Sequence, residues 1–150
     1  MESGAIADSQ ITTNSVLNDD YSNYGPTLAR FNGEKSWCGK ALGESWIQVD
    51  LGSIKDLYTI ILQSRNGVSQ CLTSFFLSYS IDGVIWTDVL DARGDDVYHV
   101  GCHYSDPQQD VPISVESPPS TGKIHCRFIR IKPKGFSAGK CMRFELLGCN

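Results

Sequence analysis

The sequence predicts an all-β domain of sandwich or barrel type, and three observations carry that prediction. Apolar residues alternate with period two in several windows from the middle of the chain to its end. Turn-forming residues punctuate those windows at short intervals, and no window sustains a period of 3.6. Residues 18–45 come first and differ from the rest, being rich in Asn, Asp, Ser, Gly and Tyr with isolated apolar residues, which predicts an irregular wrap or functional loop. Ile47, Val49 and Leu51 then share one strand face against Gln48 and Asp50. Residues 57–62 form a nearly continuous apolar run, as expected of a strand covered on both faces. Phe75, Leu77 and Tyr79 oppose Phe76, Ser78 and Ser80. Val111, Ile113 and Val115 alternate with Pro112 and Ser114, and Met142, Phe144 and Leu146 continue the pattern. Turns are expected at Asp82-Gly83, at Arg93-Gly94-Asp95, at Pro118-Pro119 with Gly122, and at Gly135 with Gly139.

At 150 residues the chain has length for one core and too little for two ordinary domains, so a single domain over residues 1–150 is expected. Thirteen Lys and Arg against 17 Asp and Glu leave a net charge of -4, which argues against nucleic acid as a partner. No apolar run approaches the roughly 20 residues that span a bilayer as a helix. Six Cys, an even number, suit an oxidising compartment, and an extracellular location is expected. The N-terminus shows no basic region followed by an apolar stretch, so no signal peptide is read there; the chain is then a piece of a secreted protein or an ectodomain, or its thiols are reduced inside a cell.

Catalysis is not expected. His99, His103 and His125 sit in no recognisable frame, and no nucleophile elbow, paired-His metal motif or phosphate-cradling Gly loop occurs. Asp19-Asp20 and Asp95-Asp96 read as solvated turn residues. His99, Cys102, His103, His125 and Cys126 offer zinc-type donors, but their spacing matches no finger pattern. A Cys102–Cys126 disulfide, or two unpaired thiols, is the simpler reading, and no metal or cofactor is expected.

Four segments in order resemble the discoidin domain, the type C module of coagulation factors V and VIII. They are Met1-Glu2-Ser3-Gly4-Ala5-Ile6 with Asp8-Ser9-Gln10-Ile11; Ala29-Arg30-Phe31-Asn32 with Trp37-Cys38 and Trp46-Ile47-Gln48-Val49-Asp50-Leu51-Gly52; Leu77-Ser78-Tyr79-Ser80 through Asp82-Gly83 to Trp86; and Arg127-Phe128-Ile129-Arg130-Ile131 with Met142-Arg143-Phe144-Glu145-Leu146-Leu147-Gly148-Cys149. The resemblance covers essentially the whole chain and implies a jelly-roll β-sandwich of the galactose-binding-domain type, in which Trp86 supplies core bulk. It implies non-catalytic recognition outside the cell through loops at one end of the sandwich, toward phosphatidylserine membranes, collagen, glycans or receptor proteins. It also implies a Cys38–Cys141 bridge. Many relatives carry a Cys just upstream of the Met1 position bonded to the Cys that Cys149 matches; that partner is absent here, which leaves Cys149 free to pair between chains or the chain cut slightly short. Cys71, Cys102 and Cys126 stay unassigned.

By the same resemblance the projecting loops fall near residues 19–27, 64–73 and 134–140. Tyr21, Asn23 and Tyr24 in the first, Arg65, Asn66, Val68 and Gln70 in the second, and Lys134 and Lys140 in the third are the candidate ligand-binding residues. Few bulky apolar side chains are visible there, which disfavours membrane insertion. Tyr rings beside amides and Arg suit a polar ligand, a cell-surface glycan or glycoprotein, unless the rings pack on their own loop. Anionic phospholipid, collagen and integrin are the alternatives. Arg93-Gly94-Asp95 is the integrin-recognition tripeptide, expected at a hairpin tip between strands ending near Leu90 and starting near Val97. Arg65, Lys132, Lys134, Lys140 and Arg143 could together make a basic patch, although Lys132 and Arg143 also fit solvent faces of strands.

Overall fold

The computed structural model describes residues 1, 3–91, 93–100, 111–114 and 122–149. Among the described residues nine strands form an antiparallel β-sandwich: β1 Ile11–Thr13, β2 Trp37–Cys38, β3 Ile47–Gln63, β4 Cys71–Ser80, β5 Thr87–Asp88, β6 Val97–His99, β7 Val111–Ser114, β8 Ile124–Ser137 and β9 Cys141–Cys149. The strand order is β2-β9-β3-β8-β4-β5, with β1 and β7 also on β3 and β6 also on β4. β3 belongs to both layers. Its first residues pair with β1 and β8, Val49 facing Ile11 and Ile129, and its last pair with β7 and β9, Ile60 facing Ile113 and Leu146. The register on β8 shifts between Asp50 and Lys55, where the strand turns from one layer into the other.

The core lies between the layers, and the alternation read from the sequence holds at 47–51, 75–78 and for Met142 and Phe144, whereas Ser80 and Arg143, expected on outward faces, are buried. Ile47, Val49, Leu57, Ile60, Phe75, Leu77, Ile129, Ile131, Met142 and Phe144 are buried, each contributing about 1.5–3 kcal/mol by leaving water. Phe75 stacks on Tyr98 with ring centroids 5.4 Å apart. The 57–62 run is covered less completely than expected, because Tyr58 faces solvent. Trp86 is not core bulk either. It lies on the outer face of β8, where the Arg130 guanidinium packs 3.8 Å from its ring and 4.3 Å from that of Trp46. Arg130 donates to Gln48 Oε1 at 2.8 Å, while its Nε is buried with no hydrogen-bond partner among the described residues. Burial pulls this guanidinium below its usual pKa.

Residues 18–45 wrap the sandwich as short 3-10 turns, one helical turn α1 (Tyr21–Tyr24) and β2. Trp37 is fully buried and donates its indole N–H to the Ser15 carbonyl, so this wrap supplies core as well as surface. Arg30 donates to the Met1 and Ile6 carbonyls and pairs with Asp8, fastening the N-terminal segment. Asn32 and Gln63 exchange two hydrogen bonds of 2.9 Å, fastening the wrap to β3.

Cys38 and Cys141 form a disulfide between the paired strands β2 and β9. Cys71 is also disulfide-bonded. Cys126 is free and buried, so the Cys102–Cys126 bridge considered from the sequence does not form; its inward position on β8 places the thiol in the core. Burial, with the Asp56 charge second, pushes that thiol up to about 12. Cys102 and His103 lie outside the described residues, as do Val115, Pro118 and Pro119 and the side chain of Cys149. His125 is bonded to Asp56 at 2.8 Å, and among the described residues no group of three His, Cys, Asp or Glu is placed to hold a metal.

Asp50 receives a two-pronged bond from Arg127, Nε at 2.8 Å and Nη2 at 2.9 Å, beside the bend in β3. Those bonds hold its carboxyl below the usual carboxylate pKa despite partial burial. A carboxyl depressed on folding stabilises the fold fully above its unfolded pKa of about 4, and that stability is lost as pH falls below it toward the folded value. In thermal melts, Asp50→Asn is therefore expected to lower the melting temperature at pH 7 and to shrink the gap to wild type below about pH 4. A gap that stays constant down to pH 2 would reject this linkage.

Candidate functional site

The β3–β4 loop and the β8–β9 loop project from the same end of the sandwich, because β4 and β8 are antiparallel with Cys71 facing Ser137. A chain of contacts joins them to α1. Asp20 caps α1, accepting from the Asn23 backbone N–H at 3.2 Å, and this presents Tyr21 and Tyr24. The Arg65 guanidinium lies 5.1 Å from the Tyr24 ring centroid, a cation–π distance. Arg65 Nη1 donates to Gln70 Oε1 at 2.6 Å, and Gln70 Nε2 donates to the Ala138 carbonyl at 3.1 Å. Tyr24, Arg65 and Gln70 thus lock three loops into one surface. Tyr21 is 58% exposed, and Asn66 and Val68 are exposed at the tip of the second loop.

Other predicted residues are placed differently. Asn23 is committed, donating to Asp20 Oδ2 at 2.8 Å and accepting from Lys35 Nζ at 3.0 Å. Lys134 lies within β8, which runs to Ser137, so the third loop is only 138–140 and Gly135 is not a turn. A Cβ at Gly135 would lie 2.6 Å from the hydroxyls of Thr73 and Ser74, so the glycine serves a close approach at the β4 register shift. Lys140 is buried and donates to the Gly43 carbonyl at 2.6 Å. Arg143 is fully buried, donating to the Ser64 and Gly33 carbonyls at 2.9 and 2.8 Å. Lys132 pairs with Glu44 at 3.0 Å. The five cations do not gather: Arg65 and Lys134 remain at the surface, and Lys140 and Arg143 build the loop end from inside.

Sequence reasoning missed Leu42 and Phe136. Leu42 is 88% exposed, next to the Gly43 carbonyl that holds Lys140, and Phe136 is 40% exposed with Lys140 Nζ 5.5 Å from its ring. Further along β4, Phe76 has Lys132 and Lys134 each 5.1 Å from its ring. The signals were legible: an isolated leucine beside a glycine in a polar stretch, and an even-numbered outward position on β8. A groove of about 690 Å³ opens elsewhere, between the N-terminal segment, β3 and β9, lined by Ile6, Phe31, Leu51, Leu57 and Leu147. The carboxylates there are engaged, Asp56 by Lys123 and His125 and Glu145 by the Met1 amino group.

Comparison with known proteins assigns this sandwich to a family. The F5/8 type C domain family model matches residues 10–146. The chain belongs to the F5/8 type C domain family. This type C domain is 33% identical over 156 residues to the venom prothrombin activator pseutarin-C non-catalytic subunit of Pseudonaja textilis, covering 99% of the chain and 10% of that protein. It is 32% identical over 166 residues to human neuropilin-2, covering all of the chain and 16% of that protein. The domain therefore spans a small part of these relatives. Among solved structures, discoidin II of Dictyostelium discoideum matches with a TM-score of 0.66 at 23% identity, over 93% of this chain and 55% of that one. A Clostridium perfringens module in complex with GalNAc-β-1,3-galactose matches with a TM-score of 0.74 at 12% identity, over 97% of both chains. At these identities the likeness establishes the shared fold.

Proposed function

We propose that this type C domain is a non-catalytic, extracellular recognition module whose loop end binds a polar cell-surface ligand, a glycan or the protein part of a glycoprotein. The observation that carries the reading is Arg65. Its guanidinium is held over Tyr24 and tied by one nitrogen to Gln70, which leaves Nη2 and Nε without a hydrogen-bond partner among the described residues. Oriented donors beside the Tyr24 ring, on the end that also presents the exposed Tyr21, suit hydroxyls or backbone carbonyls next to an apolar sugar or side-chain face. A relative named as a non-catalytic subunit and a fold relative solved with a disaccharide support this class of role. The Cys38–Cys141 bridge supports an oxidising location.

Exposed Leu42, Val68 and Phe136, with Lys134 two residues before Phe136 on β8, favour a second reading, an anionic phospholipid surface, because apolar tips with a cationic flank fit a membrane interface. A glycan array and phosphatidylserine liposome sedimentation, run on wild type, Arg65→Ala and the Leu42→Ser/Phe136→Ser pair, separate the two. Array binding that falls about tenfold or more in Arg65→Ala, the loss expected of a charge-assisted hydrogen bond, supports the first reading. Silence on the array together with liposome pelleting that only the Leu42/Phe136 pair abolishes would replace it with the second.

A further inference from the structure

The loop at Arg93, Gly94 and Asp95 is built differently from the hairpin tip expected of it. β5 and β6 do not pair with each other; both lie along β4, Ser78 facing Asp88 and Phe76 facing Val97. They are two pieces of one edge strand, and residues 89–91 and 93–96 are extruded from the sheet on the opposite edge from the β2–β9 pair. Both ends of the extrusion are pinned. Val89 is fully buried and donates its N–H to the Leu77 carbonyl at 2.8 Å, Val97 is buried, and the Tyr98 hydroxyl donates to the Leu90 carbonyl at 2.9 Å. Within it, Asp91 Oδ1 accepts from the backbone N–H groups of Arg93 at 2.8 Å and Asp95 at 2.9 Å, and Asp91 N–H donates to the Asp95 carbonyl at 2.7 Å. Gly94 takes φ +87°, open to glycine, and a Cβ there would meet nothing within 4 Å.

A rigid frame thus displays side chains that serve no packing purpose. Among the described residues the Arg93 side chain, 73% exposed, is bonded only at Nε, by Asp91 at 3.3 Å, and the Asp95 carboxylate has no hydrogen bond or ion pair. We propose that Arg93 and Asp95, framed by Asp91 and Gly94, form a second recognition site, independent of the loop end. Its partner is an integrin-class receptor, which ligates the displayed Asp95 carboxylate with its own divalent cation and receives Arg93 in an acidic cleft. Asp91 preorganises the pair, so that little loop entropy is lost on docking. With the loop end at one extremity and this loop on the sheet edge, the domain can bridge a surface ligand and a receptor.

The test is capture of a soluble Arg-Gly-Asp-dependent integrin ectodomain by the immobilised full chain in magnesium buffer. Wild type is expected to bind saturably, and chelation of the metal or a soluble Arg-Gly-Asp peptide is expected to abolish binding. Asp95→Glu and Arg93→Ala, whose melting temperatures should match wild type, are each expected to weaken capture about tenfold or more. Arg65→Ala is expected to leave it unchanged, which separates this site from the loop end. No capture by wild type, or capture that survives chelation or Asp95→Glu, would overturn the proposal.

Discussion

Replacing Cys38 and Cys141 together by Ala is expected to lower the unfolding free energy by about 4 kcal/mol, close to what the chain-entropy model assigns to a cross-link closing a loop of this length. The two residues are 103 apart in sequence, so the bridge removes many open conformations from the unfolded chain. In the folded state it ties the wrap to the last strand, and the Gly39 N–H bonded to the Lys140 carbonyl at 3.1 Å extends that tie to the β8–β9 loop. For a domain of this size the change corresponds to about 10 °C in melting temperature. Urea denaturation of the double variant checks it, and an unchanged midpoint would show that the unfolded chain is already compact without the bridge.

Arg143→Met is expected to cost on the order of 3 kcal/mol, against the few tenths typical of a surface cation. The buried guanidinium bonds the Ser64 and Gly33 carbonyls at once, and methionine fills the space while leaving both acceptors unsatisfied. Because Ser64 begins the loop that carries Arg65, weaker ligand binding should accompany the loss of stability. Arg143→Lys is expected to rescue poorly, since one ammonium cannot reproduce a fork that spans two carbonyls. Full recovery by Lys would return Arg143 to the role of a simple charge.

Strand parity was legible wherever only one face is covered, as in β4, where Phe75 and Leu77 point inward and Phe76 and Ser78 outward. It misled at Arg143. Met142 and Phe144 point into the core, so 143 reads as solvent-facing, yet its guanidinium is buried and held by the carbonyls of Gly33, in the wrap, and Ser64. Gly135 was read as a turn because composition cannot separate a glycine that bends the chain from one that admits neighbouring hydroxyls. The pieces β5 and β6 looked like hairpin arms because both flank a turn sequence, and only the register on β4 shows them to be collinear. At the loop end, Tyr24, Arg65 and Gln70 were legible as residue types, whereas their mutual contacts depend on the antiparallel pairing of β4 with β8.

The position of β3 in both layers bears on how the chain reaches its native state during synthesis. The hydrogen-bonding partners of this strand come from residue 11 at one extreme and residue 149 at the other. Until β9 has left the ribosome, the apolar residues Leu57, Ile60 and Leu62 lack one of their two neighbouring strands. Before β9 emerges, the layer of β1, β8, β4 and the first half of β3 has its strands, but the layer it packs against is incomplete. The nascent domain carries exposed strand edges for nearly its whole translation time, and its productive collapse is a late, chain-wide event governed by contacts distant in sequence.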